Sequence, residues 1–414
     1  MILPSIEDTS TAGPIKTATQ FFHLNQLTTG LDLFDKKQPI VIIGIHGWQP
    51  KLIQPFVKLD SKNFCVKMAE AIRRKLNLGP NEGDITSIAL DGYGLVLKRR
   101  DTFLKQIQGN QMNSDKIKKA KTLFVVGHSQ GVPVSVLLLQ QLIEVGLVDP
   151  DQQKICACLM AGISQGPISR FDPAKKLAEI LDDDQSEELF DFQKSSSLIS
   201  REYRNATIKI LKRGVKIIYF ASGNDDKVPL HSALYSSMDH PSIERGIYVA
   251  DSIYEEKKFV ADLVRILIRL RNNNHSDHGL LVLLSDSLIG YLKDHGHAGL
   301  TVEPEAYEHA VDHLYMSKEY KGVDAKFIDF DYTLLAKPRQ TYIPWAMRGL
   351  LTDEKTIITE KLIPDFNSLR QNFKTWSPSP FDSVAMELKC NLQPFGDDTE
   401  EQYFEVYQNL STKL

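Results

Sequence analysis

The sequence predicts an α/β protein with a mostly parallel sheet and helices on both faces, and three observations carry that expectation. First, strand-length apolar runs recur: "PIVIIGI" (39–45), "ITSIAL" (85–90), "TLFVV" (122–126), "ICACLMA" (155–161), "VKIIYFA" (215–221) and "GIYVA" (246–250). Second, these runs are near-continuous rather than alternating, the pattern of strands buried on both faces. Third, helix-length segments separate them and supply the crossovers that parallel strands need.

The elements follow in chain order. Residues 1–38 form an N-terminal segment in which "KTATQFFHL" (16–24) reads as an antiparallel edge strand. The core is expected over 39–320. Between 164 and 213 the pattern changes: apolar residues at helical spacing (Leu177, Ile180, Leu181) precede an acidic run, a serine triplet and a basic segment. Two amphipathic helices joined by a loop fit best there, a helical lid inserted between two sheet strands. After the last strand come an amphipathic helix, "EEKKFVADLVRILIRLR" (255–271), a polar loop, "NNNHSDHG" (272–279), and further helices at 280–294 and 303–319. Beyond 320 no strand–helix–strand pattern returns, so 321–414 reads as a C-terminal extension packed on the core.

Composition narrows the function classes. The chain has 414 residues, 42% of them hydrophobic and 25% charged, which is ordinary for a globular protein. A formal net charge of −4 gives no broad basic field and argues against nucleic acid as the main partner. Cys65, Cys156, Cys158 and Cys390 lack zinc-type spacing, and the Cys156/Cys158 pair sits on one side of an apolar strand, so reduced thiols are expected. The first twenty residues have no cationic region followed by an apolar stretch, and no uncharged apolar run reaches the ~18 residues of a membrane span. An intracellular, cytoplasmic protein without a transmembrane span is the expectation.

Chemistry enters at "KTLFVVGHSQGVPVSVLLLQQLIE" (121–144), where an apolar strand and an apolar helix flank Gly127-His128-Ser129-Gln130-Gly131. A G-x-S-x-G turn between strand and helix places its serine at a strained bend with Oγ projecting above the sheet. The glycines suit the tight turn, and Pro133 suits the first helical turn, where its missing N–H costs nothing. His128 reads as an elbow-packing residue. A serine hydroxyl needs a base to take its proton, and in this arrangement an acid and then a histidine follow along the chain. The loop after 215–221 offers Asp225 and Asp226. They are adjacent, so only one can face an imidazole, and Asp225 is favoured. Of the later histidines, His297 in "KDHGHAGL" (293–300) is favoured for its small-residue loop, with His295 second. For the oxyanion, the Gln130 amide follows the nucleophile, and "HGW" (46–48) offers the amide of Trp48.

These stretches resemble the α/β-hydrolase superfamily, and more closely a group of fungal hydrolase-like proteins that share "HGW", "GHSQG", an "NDxxVPLxSA" acid loop and a "GHS" histidine loop. The counterparts here are "IHGW", "GHSQG", "NDDKVPLHSA" and "DHGHAGLTVEPEAYEHAV", and "YIPWAMRGLL" (342–351) is similar to that group's tryptophan-containing C-terminal segment. The resemblance spans about 39–351. It implies the α/β-hydrolase fold, with Ser129 as nucleophile, Asp225 as acid and His297 as base; Ala298 stands where the group usually has serine. A serine esterase or lipase-like hydrolase is expected, acting on a small-molecule or lipid-like acyl ester or thioester, with no cofactor and no metal, and with peripheral membrane contact left open. Acyl transfer by the same triad and a catalytically quiet scaffold are the alternatives.

Two other signals are weaker. "FIDFDYTLL" (327–335) resembles the first motif of aspartyl-phosphate phosphatases, but too little chain remains to build the sheet such a domain needs. His309 and His313 share a helix face without a third ligand, and read as histidines of a surface helix.

Overall fold

Six strands lie parallel in one sheet: β2 (Ile40–Ile45), β3 (Ile85–Leu90), β4 (Thr122–His128), β5 (Lys154–Met160), β6 (Lys216–Ser222) and β8 (Ile243–Val249). The short strand β1 (Gln20–Phe21) adds antiparallel to β8, giving the order β1-β8-β6-β5-β4-β2-β3. The computed structural model describes residues 20–21, 38–48, 61–80, 82–168, 184–223, 225, 227–249, 257–288, 296–329, 339–380 and 382–393. The helices within them are α1 (Ser61–Lys75), α2 (Val96–Gly109), α3 (Gln111–Lys119), α4 (Gly131–Glu144), α5 (Asp184–Asp191), α6 (Leu198–Lys212), α7 (Leu230–Ala233), α8 (Lys258–Asn272), α9 (Leu280–Leu288), α10 (Gly296–Gly299), α11 (Pro304–Met316), α12 (Arg339–Thr352), α13 (Glu354–Thr359), α14 (Ile363–Thr375) and α15 (Ser383–Asn391).

Strand alternation divides the interior in two. Val41, Ile43, Leu123, Val125, Ala157 and Leu159 face one core, which they share with α2, α4 and α6, while Ile42, Phe124, Val126, Cys156 and Cys158 face another with α1 and α11. This is why the strand sequences lack alternation: both faces of the central strands are apolar because both are covered. Cys65, Cys156 and Cys158 are buried free thiols, whereas Cys390 is exposed. Burial pushes the Cys156 thiol up to about 12.

The expected strands appear within a few residues, and β8 shows the largest difference. It begins at Ile243, not 246, and takes in two fully buried charged residues, Glu244 and Arg245. Glu244 faces His313 Nδ1 at 2.8 Å, and the Arg245 guanidinium donates to the carbonyls of Leu234, Tyr235, Met238 and Arg271. The apolar-run signal misses them because their compensation comes from other elements and turns, His313 for Glu244 and carbonyls outside β8 for Arg245. For the same reason α11 is not the expected surface helix: His309 and His313 are both buried between α11 and the sheet.

Within 164–213, the helical spacing at Leu177, Ile180 and Leu181 lies outside the described residues. Helix α6 packs on α4 through Tyr203, Ala206 and Ile210 as the crossover from β5 to β6, and α5 lies beside the start of α2. Helices α12 to α15 contribute Met347, Leu350, Phe366, Leu369, Phe373 and Leu388 to the first core. The Phe327 end of "FIDFDYTLL" lies in β9 (Lys326–Phe327), which pairs antiparallel with β7 (Met238–Asp239) in a two-stranded ribbon outside the main sheet, so it is not the buried parallel strand a phosphatase motif needs.

The strand order contains one reversal. From β2 the chain passes through α1 to the edge strand β3, then returns to the other side of β2 as β4 and continues through α4 to β5. The helices that follow β2 and β4 therefore leave toward opposite faces. The switch point of the topology lies at the carboxyl ends of these two strands, the usual ligand position in such sheets.

Candidate active site

Ser129 stands at the carboxyl end of β4 with φ of +55°, a left-handed conformation that costs a non-glycine residue roughly 1–2 kcal/mol. The turn is held from both sides: Ser129 N donates to Met160 O at 3.0 Å, and Val132 N donates to Ser129 O at 3.0 Å. The flanking glycines are required by contact. A Cβ on Gly131 would lie 2.5 Å from Ile45 O and 2.6 Å from His46 O, and one on Gly127 would lie 2.4 Å from Ser135 Oγ.

The loop after β2 packs directly on this bend. A Cβ on Gly47 would lie 2.8 Å from Ser129 Cβ and 3.4 Å from its Oγ, so the absence of a side chain lets the loop backbone approach the serine. Trp48 is half-buried against the first core. The Gln130 amide opens α4, and no hydrogen bond among the described residues takes it. An amide at that position, at a helix N-terminus, faces developing negative charge well.

Asp225 and His297 are brought together. His297 Nδ1 lies 2.7 Å from Asp225 Oδ2, while Asp225 Oδ1 accepts from the amides of Lys227 and Val228, both at 2.9 Å. One carboxylate oxygen fixes the loop and the other fixes the imidazole. The alternatives, Asp226 and His295, lie outside the described residues. The other late histidines are engaged elsewhere: His240 with Val323 O, His275 with Glu360, His278 with Asp353 and His313 with Glu244. His231 is buried in α7, with its amide on Ser285 Oγ, and His309 is buried in α11.

His128 links the serine bend to the histidine loop. Its Nε2 lies 3.0 Å from His297 O, and the two rings are 4.7 Å apart. Burial, and then the neighbouring His297, pushes His128 down to about 3, so it is neutral at pH 7 and can donate to that carbonyl. Ser129 Oγ and His297 share no hydrogen bond among the described residues; in unliganded enzymes this contact is often long and tightens only with substrate.

Arg99 went unnoticed in the sequence. It is 1% exposed, and its guanidinium donates to Gln130 Oε1 and to His46 O, both at 2.8 Å. Val96, Arg99, Phe103 and Ile107 recur at helical spacing and are the buried residues of α2. That period was the available signal. His46 is buried beside it, and burial followed by the Arg99 charge pushes its imidazole down to about 4.

The solved structures to which the chain is similar are remote. Est1E from Butyrivibrio proteoclasticus shares 15% identity over 51% of this chain and 79% of its own, with a TM-score of 0.28. A structure from the metagenome-derived lipolytic enzymes LipS and LipT shares 13% identity over 59% of this chain and 99% of its own (TM-score 0.30). For 2-hydroxy-6-oxo-6-phenylhexa-2,4-dienoate hydrolase from Rhodococcus sp. strain RHA1 the figures are 16%, 51%, 83% and 0.26. Scores this low carry no substrate across. No curated protein matches the sequence. The family model of the YMC0/YMC35 alpha/beta hydrolase domain matches residues 9–354, which is most of the chain, and the protein belongs to that family.

Proposed function

We propose that this protein is a serine hydrolase that cleaves a carboxylic ester or thioester through an acyl-enzyme, with Ser129, His297 and Asp225 as its triad. The observation that carries the reading is the 2.7 Å contact of His297 Nδ1 with Asp225 Oδ2, in a loop joined through His128 to the strained bend that bears Ser129. Ser129 Oγ attacks the carbonyl carbon while its proton passes to His297 Nε2. The carbonyl oxygen becomes an oxyanion received by the amides of Gln130 and Trp48. As the tetrahedral species collapses, His297 returns the proton to the leaving alcohol or thiol, and water repeats the sequence on the acyl-enzyme. Asp225 holds Nδ1–H in place, keeping Nε2 free to accept, and balances the imidazolium charge.

We further infer a lipid-like acyl group, received beside α5, which docks at the start of α2. The resemblance of the motifs to fungal hydrolase-like proteins supports the same chemistry without narrowing the substrate.

The test is labelling with a fluorophosphonate probe, comparing wild type, Ser129→Ala and His297→Ala, with the adduct mapped by mass spectrometry. An adduct on Ser129 that is lost in both variants is the expected result, and an ester series graded by acyl length then tests the lipid-like assignment. Folded wild type that takes up no probe refutes the hydrolase reading.

A further inference from the structure

We propose that Arg99 is a positioning residue of the oxyanion site, clamping the loop after β2 to the residue after the nucleophile and placing a fixed positive charge behind both. The inference rests on the hydrolase reading above, because it concerns the amides assigned there to the oxyanion.

The two acceptors of Arg99 are informative. His46 O belongs to the peptide that leads into Gly47, beside Ser129, and Gln130 Oε1 belongs to the residue whose amide opens α4. The Gln130 side chain is fixed at its other end, where Nε2 donates to Gly94 O at 3.3 Å. Rotation of the 46–47 peptide breaks one of the Arg99 bonds, and displacement of Gln130 breaks the other. The loop and the bend are already in close contact through Gly131, so the guanidinium spans a junction that has little freedom left. A planar fork can meet two acceptors in different directions at once; an ammonium on a flexible stem holds them less well.

The charge is also unusual. Among the described residues its hydrogen bonds go to a side-chain amide oxygen and a backbone carbonyl, and its Nε has no hydrogen-bond partner. The Phe103 ring lies 5.4 Å from Cζ. Burial pushes Arg99 down to about 10, which leaves it charged at neutral pH. Asp91 and Glu188 attract the guanidinium through space, but its direct partners are neutral acceptors, a poor way to stabilise a fold, since an apolar side chain of similar volume would serve as well or better. The same charge favours a substrate oxygen that becomes negative only in the transition state, which is where electrostatic preorganisation acts.

The experiment compares wild type with Arg99→Met, Arg99→Lys and Gln130→Leu. It measures the fluorophosphonate reaction rate at Ser129, kcat and KM on a p-nitrophenyl ester, and Tm. Loss of one oxyanion donor typically lowers kcat about 100- to 1000-fold, so misplacing the donors in Arg99→Met is expected to lower kcat and the labelling rate about 100-fold, with KM changed less than about threefold. Arg99→Lys is expected to recover part of the loss, and Gln130→Leu, which removes one acceptor, to lose about tenfold. A folded Arg99→Met enzyme that labels within threefold of wild type overturns the inference, as does a loss that appears wholly in KM. If Arg99→Met does not fold, Gln130→Leu decides by the same criterion. Wild type that fails to label overturns the hydrolase reading itself, whereas labelled wild type with indifferent variants overturns only the role of Arg99.

Discussion

Replacing Asp225 with asparagine separates orientation of the imidazole from support of the loop. Asp225 uses Oδ1 for the amides of Lys227 and Val228, and Oδ2 for His297 Nδ1. Asparagine keeps one oxygen for the two amides, so the loop should hold. Its NH2 then faces Nδ1 as a donor, which favours the tautomer protonated on Nε2, and that nitrogen can no longer accept the Ser129 proton. In a triad this change lowers kcat by about 10⁴, or about 5.4 kcal/mol of transition-state stabilisation at 1.36 kcal/mol per tenfold. Tm should shift little, whereas Asp225→Ala should also lose about 1 kcal/mol of stability for each amide left without its acceptor. The assay is kcat on an activated ester beside urea unfolding, with Asp226→Asn in parallel. An Asp225→Asn enzyme retaining more than a tenth of wild-type kcat refutes the assignment, and a large loss in Asp226→Asn transfers the role to that residue.

Other consequences can be measured on the same protein. Gly131→Ala forces a Cβ against the carbonyls of Ile45 and His46 and should lose about 3 kcal/mol or more together with activity. Gly109→Ala meets nothing within 4 Å at the end of α2 and should gain roughly 0.5–1 kcal/mol; urea unfolding of both variants checks the contrast. His46 and His128 are held neutral, down to about 4 and about 3, so between these values and the ordinary 6.5 the unfolded chain binds more protons than the folded one. Their contribution is therefore complete above about pH 6.5 and lost as pH falls, by up to about 1.4 kcal/mol per pH unit for each histidine. Urea unfolding between pH 7 and pH 4.5 should show this, and His128→Phe should reduce the slope by about one proton; an unchanged slope contradicts it. Helix α2 has no side-chain cap on Leu95, and Glu188 Oε2 accepts from Val96 N at 2.6 Å instead. Glu188→Ala should therefore cost about 1 kcal/mol, read as a fall in Tm.

The readable parts of this chain are those governed by local rules. An apolar run six residues long, covered on both faces, announces a central strand, and G-x-S-x-G between such a run and a helix carries its own backbone requirement: the clashes at Gly127 and Gly131 are properties of the turn itself. Asp225 and His297 could be singled out because chain order and loop composition restrict the choice, but the 2.7 Å approach between residues 72 positions apart belongs to tertiary structure alone. What escaped notice was charge in the interior. Glu244, Arg245 and His313 each violate the expectation that ionisable residues stay at the surface, and each is compensated by a partner that no local pattern reveals.

Two buried arginines show why burial alone does not assign a role. Arg245 sits in β8 with its guanidinium donating to four backbone carbonyls, and none of its side-chain nitrogens lacks a partner. Such a residue organises the turns around it; its bonds join the segment after α7, β7 and the end of α8, which gives it a sufficient structural reason to be there. Arg99 is equally enclosed but makes two bonds, leaves Nε without a partner, and reaches toward the two segments that meet at Ser129. If packing were its whole purpose, methionine or leucine would fill the same space without desolvating a charge. A buried positive charge without a carboxylate in direct contact makes physical sense where negative charge appears transiently nearby, and the carboxyl ends of β2 and β4 are where the proposed reaction would create it.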